Sequence, residues 1–337
     1  MNVAIYGAGS LGTILGAYIA KGGRDIDLVN RNPKHVQALR TDGAHVVGTV
    51  DFKQKVNALF PSEMSKRYDI IFLMTKQLGN KAVVESLVPH LADDGVICTT
   101  QNGLPELSVS EVIGEDRTFG CTIAWGATLV EPGVSELTSS PDALTFGLGS
   151  MTGKDSQRLH EIKELLELMG PVTIEKNFIG ARWSKLLINS AFSGLSACLG
   201  QTFGEVAKAK KSRRVAQRIL KECIDVTVAA HVKIEPIQGK DVAKLLDYHG
   251  PIKKWVSFRI IPLAMKKHAL LKASMLQDLE KGKKTEIDAI NGVVCAYGRK
   301  VGVPTPFNDK VVEIVHGIED GTYASKPSNI ELFTPLL

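Results

Sequence analysis

The chain has 337 residues, 44% hydrophobic and 23% charged, with a formal net charge of +5. A chain this long can bury more than one core, so two domains are expected. The composition is globular, no run of about 18 apolar residues occurs, and the first residues enter a core strand, so no membrane span or signal peptide is expected and the cytoplasm is the expected location.

Five cysteines, Cys98, Cys121, Cys198, Cys223 and Cys295, form no CxxC pair, and the histidines, His231 and His268 among them, lack metal-ligand spacing. Reduced buried thiols and no metal site are expected. The basic run Lys208, Lys210, Lys211, Arg213, Arg214 and Arg218 carries apolar residues at helical spacing and no interleaved aromatics. It reads as a solvated helix face and not as a nucleic-acid contact.

The strongest local signal opens the chain. Val3 to Tyr6 read as a buried strand, Gly7, Ala8, Gly9, Ser10, Leu11 and Gly12 as a sharp turn into a helix, and Ile26 to Val29 as the next parallel strand. A GxGxxG turn in that setting cradles a dinucleotide pyrophosphate: Gly7 permits the turn, Gly9 admits the ligand, and Gly12 lets the helix close on the sheet. The second strand ends Val29-Asn30-Arg31, without the acidic residue that would accept from the ribose hydroxyls of NAD. A guanidinium suits a 2'-phosphate, so NADPH is the expected cofactor; the alternative is that Arg31 is an ordinary solvated side chain.

Further on, Pro33 to Arg40 reads as a short helix, with extended pieces at Ala44 to Val50 and Val56 to Ala58. Asp69 to Met74 is an inner strand ending at Thr75-Lys76-Gln77, on the carboxyl edge where open sheets bind ligands. There Lys76 either caps a phosphate or is simply exposed. A helix over Asn80 to Leu87 and a strand over Gly95 to Thr100 bring Asn102 to the same edge, where its amide can meet a cofactor ribose or a substrate carbonyl. Strands near 119–125, 134–137 and 145–148 read as later sheet strands and antiparallel hairpins that extend this first domain. An amphipathic helix over 156–169 and a strand over 172–174 complete the α/β part. From Ile179 to Gly317 a 3.6-residue period predicts an all-helical second domain, with Trp255, Phe258 and Ile261 supplying the packing of its least patterned part. The tail beyond Gly321 either wraps the body or frays.

Two constellations inside the helical part can carry chemistry. Lys185, Asn189 and Ser193 recur every fourth residue and share a helix face. The lysine either snorkels to solvent or points into a polar cleft, where its ammonium can protonate a developing alkoxide. In the second, Thr285 and Asp288 resemble a capping box that places Glu286 in the first turn of a helix, as an orienting carboxylate or as a favourable helix-start charge.

With GAGSLG at 7–12, Asn102 in QNG, WSKLLIN at 183–189 and SMLQDLEKGKKTEIDAINGVV at 274–294, the chain resembles the ketopantoate reductase (2-dehydropantoate 2-reductase) family over nearly its full length. The resemblance implies an α/β Rossmann-type N-terminal domain over 1–176, a helical substrate domain over 177–320 and a tail over 321–337. It also implies an active site in the cleft between the two domains and NADPH-dependent reduction of ketopantoate to (R)-pantoate. By position, Lys185 is similar to the family's general acid and Glu286 to its carboxylate for the substrate hydroxyl and the lysine. Ser274 is similar to the binder of the substrate carboxylate, Asn189 and Asn102 to the amides near substrate and nicotinamide, and Arg31 with Lys76 to the pair that holds the 2'-phosphate. Ser193 stands in the substrate pocket where pantoate-forming members usually carry a second asparagine, and another expected asparagine is replaced near Phe203. The related D-2-hydroxyacid dehydrogenases share the lysine and TEID signatures, act on bulkier branched or aromatic 2-keto acids and generally use NADH. A small-molecule 2-keto acid is therefore the expected partner, with a homodimer through the helical domain as the expected assembly. Cofactor binding without catalysis, as a sensor or scaffold, is the reading from a different class.

Overall fold

Short apolar runs in the first half of the chain stack into one eight-stranded sheet. The computed structural model describes residues 1–237 and 239–337, in two units: Met1–Gln101 with Pro105–Phe178, and Asn102–Leu104 with Ile179–Leu337.

In the first unit, β1 (Val3–Tyr6), α1 (Ser10–Lys21), β2 (Asp27–Val29) and α2 (Pro33–Thr41) are followed by β3 (Ala44–Gly48), β4 (Phe52–Gln54), β5 (Asn57–Leu59) and β6 (Tyr68–Leu73). Next come α3 (Asn80–Leu87), β7 (Leu91–Thr99), α4 (Pro105–Ile113), β8 (Thr118–Ile123), β9 (Ala127–Glu131), β10 (Val134–Leu137), β11 (Phe146–Ser150), α5 (Gln157–Glu167) and β12 (Val172–Ile174). The large sheet has the order β12-β11-β8-β7-β6-β1-β2-β5, and its neighbours are parallel except β8 and β11. The apolar runs of its inner strands, Ile70–Leu73 in β6 and Val96–Cys98 in β7, are buried on both faces. The hairpin β9–β10 does not extend this sheet. It joins β3 and β4 in a separate four-stranded sheet, because β10 pairs in parallel with β3. The Phe52 ring of β4 meets Tyr18 of α1 edge-on at 5.1 Å.

The second unit is helical: α6 (Phe178–Ile188), α7 (Gly194–Leu199), α8 (Phe203–Lys208), α9 (Lys210–Ala229), α10 (Val242–Leu246), α11 (Pro251–Ala264), α12 (Ser274–Glu280), α13 (Val293–Val301) and α14 (Pro306–Glu319). A π-helical turn over Asn189–Ser193 joins α6 to α7, and a second over Asp288–Gly292 leads into α13. The two turns adjoin, tied by the buried Asn291, whose amide donates 2.9 Å to the Ser190 carbonyl and 2.9 Å to Asn308 Oδ1. Ile261 is buried as expected, but Trp255 is 60% exposed and does not pack the core. It lies with Ile252, Val256 and Leu263 on an exposed stripe of α11. The tail is an ordered wrap: Asn329 donates to the Cys198 carbonyl at 2.9 Å, and Phe333 is fully buried.

Candidate active site

In the first unit the turn after β1 carries the site. Gly7 has φ +97°, and a Cβ there would lie 2.6 Å from the Thr75 nitrogen. A Cβ on Gly12 would lie 2.9 Å from Ile5, which fixes how closely α1 sits on the sheet. At Gly9 the nearest protein atom to such a Cβ is 3.9 Å away, and Gly9 precedes α1 with no side chain capping the first turn. Uncapped N–H groups at a helix N-terminus beside open space suit a pyrophosphate, so Gly7 to Gly12 fit a dinucleotide.

The turn is braced from behind through the Ala8 carbonyl. Asn30 Nδ2 donates to it at 2.8 Å and His35 Nε2 at 2.9 Å, while His35 Nδ1 accepts from the Gly133 N–H at 3.0 Å. That pair of bonds defines the neutral Nε2–H tautomer. Burial holds the ring's pKa below the usual histidine range, although the Ala8 carbonyl pulls the other way. Asn30 therefore supports the turn, while Arg31 beyond it is exposed.

At the ends of β6 and β7, Gln101 is the buried hub. Its Nε2 donates to the Thr75 carbonyl at 2.8 Å and to Asn80 Oδ1 at 2.9 Å, and its Oε1 accepts from Thr99 at 2.8 Å. The loop so held bears Lys76, which is exposed. Local pattern did not single out His35 or Gln101 as bracing residues, since each depends on partners distant in the chain.

In the second unit, Lys185, Asn189 and Ser193 are half-buried while Trp183, Ser184, Leu186, Leu187, Ala191 and Phe192 are buried. The three polar residues are partly exposed, as is Ile188 between them, and Ser193 Oγ lies 3.5 Å from Asn189 Oδ1. The run is not a continuous α-helix, because the π turn begins at Asn189. Phe203 is buried, its ring 5.7 Å from that of Phe192, so an apolar pair stands where the resemblance implies a polar residue.

Ser274 opens α12 and is exposed, while the following Met275 and Leu276 are buried. Asn102 is half-buried and groups with the second unit. Glu286, half-buried, precedes the first helical residue, Ile287. The expected capping box is not formed: the Thr285 hydroxyl accepts from Ile287 N–H at 3.2 Å, and Asp288 bonds to His316 at 2.9 Å. Among the described residues no group of three or more His, Cys, Asp or Glu is arranged to hold a metal, and no helix is long and apolar enough to cross a membrane.

Two family models match this chain: ketopantoate reductase PanE/ApbA over residues 3–150, and its C-terminal counterpart over 177–319. The chain belongs to the ketopantoate reductase family. It is 28% identical over 315 residues to a 2-dehydropantoate 2-reductase of Pyrococcus horikoshii, spanning 91% of this chain and 94% of that one. It is 28% identical to the Archaeoglobus fulgidus 2-dehydropantoate 2-reductase, spanning 95% and 98%. A solved PanE/ApbA family ketopantoate reductase from Ralstonia eutropha superposes with a TM-score of 0.80 at 25% identity, covering 95% of this chain and 99% of that one. D-mandelate dehydrogenase, solved with NADH and anilino(oxo)acetate, shares the fold at a TM-score of 0.80 and 22% identity, with the same coverage. As a member of the ketopantoate reductase family the protein is an oxidoreductase with NAD(P)H-dependent 2-keto acid chemistry, and its Rossmann-type unit accords with a nicotinamide cofactor.

Proposed function

We propose that this protein reduces a 2-keto acid with NADPH in the cytoplasm, with ketopantoate, giving (R)-pantoate, as the foremost substrate. Residues 1–176 would hold the cofactor and 177–320 the substrate. The observation that carries this reading is the half-buried Lys185, Asn189 and Ser193 face on a buried helix of a ketopantoate reductase family member. Gly7 to Gly12 would hold NADPH at its pyrophosphate and Arg31 with Lys76 would meet its 2'-phosphate, and the bound cofactor would supply a hydride for C2 of the keto acid. Lys185 gives its proton to the keto oxygen as negative charge develops there. Glu286 accepts from the substrate hydroxyl and steadies the ammonium, Ser274 binds the substrate carboxylate, and Asn102 and Asn189 orient the carbonyl. All five cysteines are buried, which accords with thiols kept in a reducing compartment.

A second reading, reduction of a bulkier branched or aromatic 2-keto acid, is favoured by Ser193 and by the Phe192–Phe203 pair. Initial rates of NADPH and NADH oxidation with ketopantoate and a panel of such acids decide between them. Turnover confined to NADPH and ketopantoate is the expected result; preference for another acid supports the second reading. A silent panel with saturable NADPH binding leaves a binding protein. Lys185→Ala should lower turnover at least about 100-fold with cofactor affinity intact, and unchanged turnover defeats the assignment.

The assembly proposed is a homodimer through the helical unit. Ile252, Trp255, Val256 and Leu263 are 79, 60, 38 and 72% exposed at helical spacing, an apolar stripe and not scattered single residues. A second copy covering it predicts a dimer by sedimentation equilibrium that Trp255→Glu converts to monomer. A monomeric wild type rejects it.

A further inference from the structure

Glu286 lies at the end of an irregular stretch, Lys283 to Glu286, between α12 and the first helical residue Ile287. In such a stretch the bonds of the neighbouring residues help to set a side chain's direction. Thr285 is 4% exposed, and its N–H and hydroxyl both donate to Glu319 Oε1, each at 2.7 Å. With its proton so committed, the Thr285 hydroxyl accepts from Ile287 N–H at 3.2 Å. On the other flank His316 Nε2 donates to Asp288 Oδ1 at 2.9 Å, while His316 Nδ1 faces the second Glu319 oxygen at 3.3 Å. Both flanks of Glu286 are thereby tied to the last turn of α14.

The chemistry of the tie follows from its donors. A carboxylate only accepts, so both His316 nitrogens must donate, and the imidazolium is the form that fits. Burial opposes the charge, but Asp288 and Glu319 outweigh it and hold the His316 pKa above its ordinary value. Glu319 is held below its ordinary value: burial raises it, and the Thr285 donors with His316 more than offset that. Asp320, the next residue on α14, also feels His316. The Glu319 side chain is 10% exposed, His316 44% and Asp288 75%, so one end of the tie is shielded from water and the outer end can exchange protons with solvent.

We propose that Glu319 and His316 are positioning residues that set the backbone on both sides of Glu286, and so the aim of its carboxylate, with the clamp loosening when His316 loses its proton. The proposal rests on the reading of Glu286 as the substrate-orienting carboxylate. The test uses the full chain, with E319A, E319Q, H316Q and E286Q beside the wild type. Amide hydrogen exchange over 283–290 is measured together with kcat and KM, using NADPH and the 2-keto acid of the panel turned over best, between about pH 6 and 9. E319A should speed exchange in that segment at least about tenfold and lower kcat/KM about 10- to 100-fold, with NADPH affinity within about twofold. E319Q, which keeps an acceptor for Thr285, should recover most of the loss. Exchange over 283–290, corrected for its intrinsic pH dependence, should speed up in the wild type as pH rises through the His316 pKa, and H316Q should lack that step. Unchanged exchange and kcat/KM in E319A, or the same step in H316Q, overturns the proposal. Should E319A fail to fold, E319Q and H316Q carry the exchange and pH comparisons. An E286Q protein that turns over normally defeats the reading of Glu286 instead, and the exchange data still decide whether the clamp exists.

Discussion

Replacing His35 with Phe tests how the cofactor turn is held. The His35 ring is 1% exposed and links two separate pieces of backbone, donating to Ala8 at 2.9 Å and accepting from Gly133 at 3.0 Å. Phe fills a similar volume and removes both bonds, together with the 3.1 Å contact of Nε2 to Thr13 Oγ1. The Ala8 carbonyl keeps the Asn30 donor at 2.8 Å and loses little, whereas the Gly133 N–H is left buried without a partner. Together these should cost about 2–4 kcal/mol, most of it from the orphaned donor. Urea unfolding measures it, and NADPH affinity should fall about tenfold as the turn relaxes. The pH dependence is more specific. Burial keeps the folded ring neutral, while in the unfolded chain it takes up a proton near pH 6.5. The unfolded state therefore binds more protons below that pH, and wild-type stability falls on acidification by up to about 1.4 kcal/mol per pH unit until the folded pKa is reached. H35F lacks that slope, so the gap between the two proteins should narrow as pH drops. Equal stabilities, or a gap that stays constant on acidification, would refute the reasoning.

Substitutions at the turn separate space for protein from space for ligand. Gly9→Ala has no protein atom within 3.9 Å of the new Cβ, so melting should shift little while NADPH titration weakens about tenfold or more; intact binding would move the pyrophosphate elsewhere. Gly7→Ala puts a Cβ 2.6 Å from the Thr75 nitrogen at φ +97°, and should lower both the melting temperature and cofactor affinity, the backbone conformation alone costing about 1–2 kcal/mol. Glu222, buried on α9, accepts from the Phe307 and Asn308 N–H groups at 2.9 and 3.0 Å and from the Asn308 amide at 2.7 Å, so it caps α14 from a neighbouring helix. Glu222→Ala should cost about 3–5 kcal/mol in chemical denaturation; a loss below about 1 kcal/mol would mean water replaces it.

Where one short stretch decides the outcome, the sequence was readable. The order of strand, GxGxxG turn, helix and strand is local, and β1, α1 and β2 form where the pattern puts them. The apolar runs Ile70–Leu73 of β6 and Val96–Cys98 of β7 mark stretches covered on both faces. The hairpin β9–β10 was harder to place because alternation says that a strand exists and not which partner it takes; pairing of β10 with β3 is a tertiary choice. Trp255 was misjudged for a related reason. An apolar stripe at helical spacing reads the same whether it faces its own core or another molecule.

The site divides along the same line. Its chemistry-bearing residues stand in compact motifs, whereas the groups that brace them find their partners across long sequence separations. His35 reaches Gly133 across 98 residues, Glu222 reaches Phe307 across 85, Asn291 reaches Ser190 across 101, and Glu319 reaches Thr285 across 34. Each is a polar side chain satisfying a backbone group at a helix end or a turn, the kind of group that must be paired once buried. The obligation follows from physical chemistry, but the partner follows from the fold. At Thr285 the local rule offered Asp288 as the reciprocal cap, and the fold supplied Glu319 instead, releasing Asp288 to His316. The segment that carries Glu286 is thereby joined to His316, a group that a local capping box would not contain, so on the proposed clamp its pH dependence would come from α14 and not from its own sequence motif.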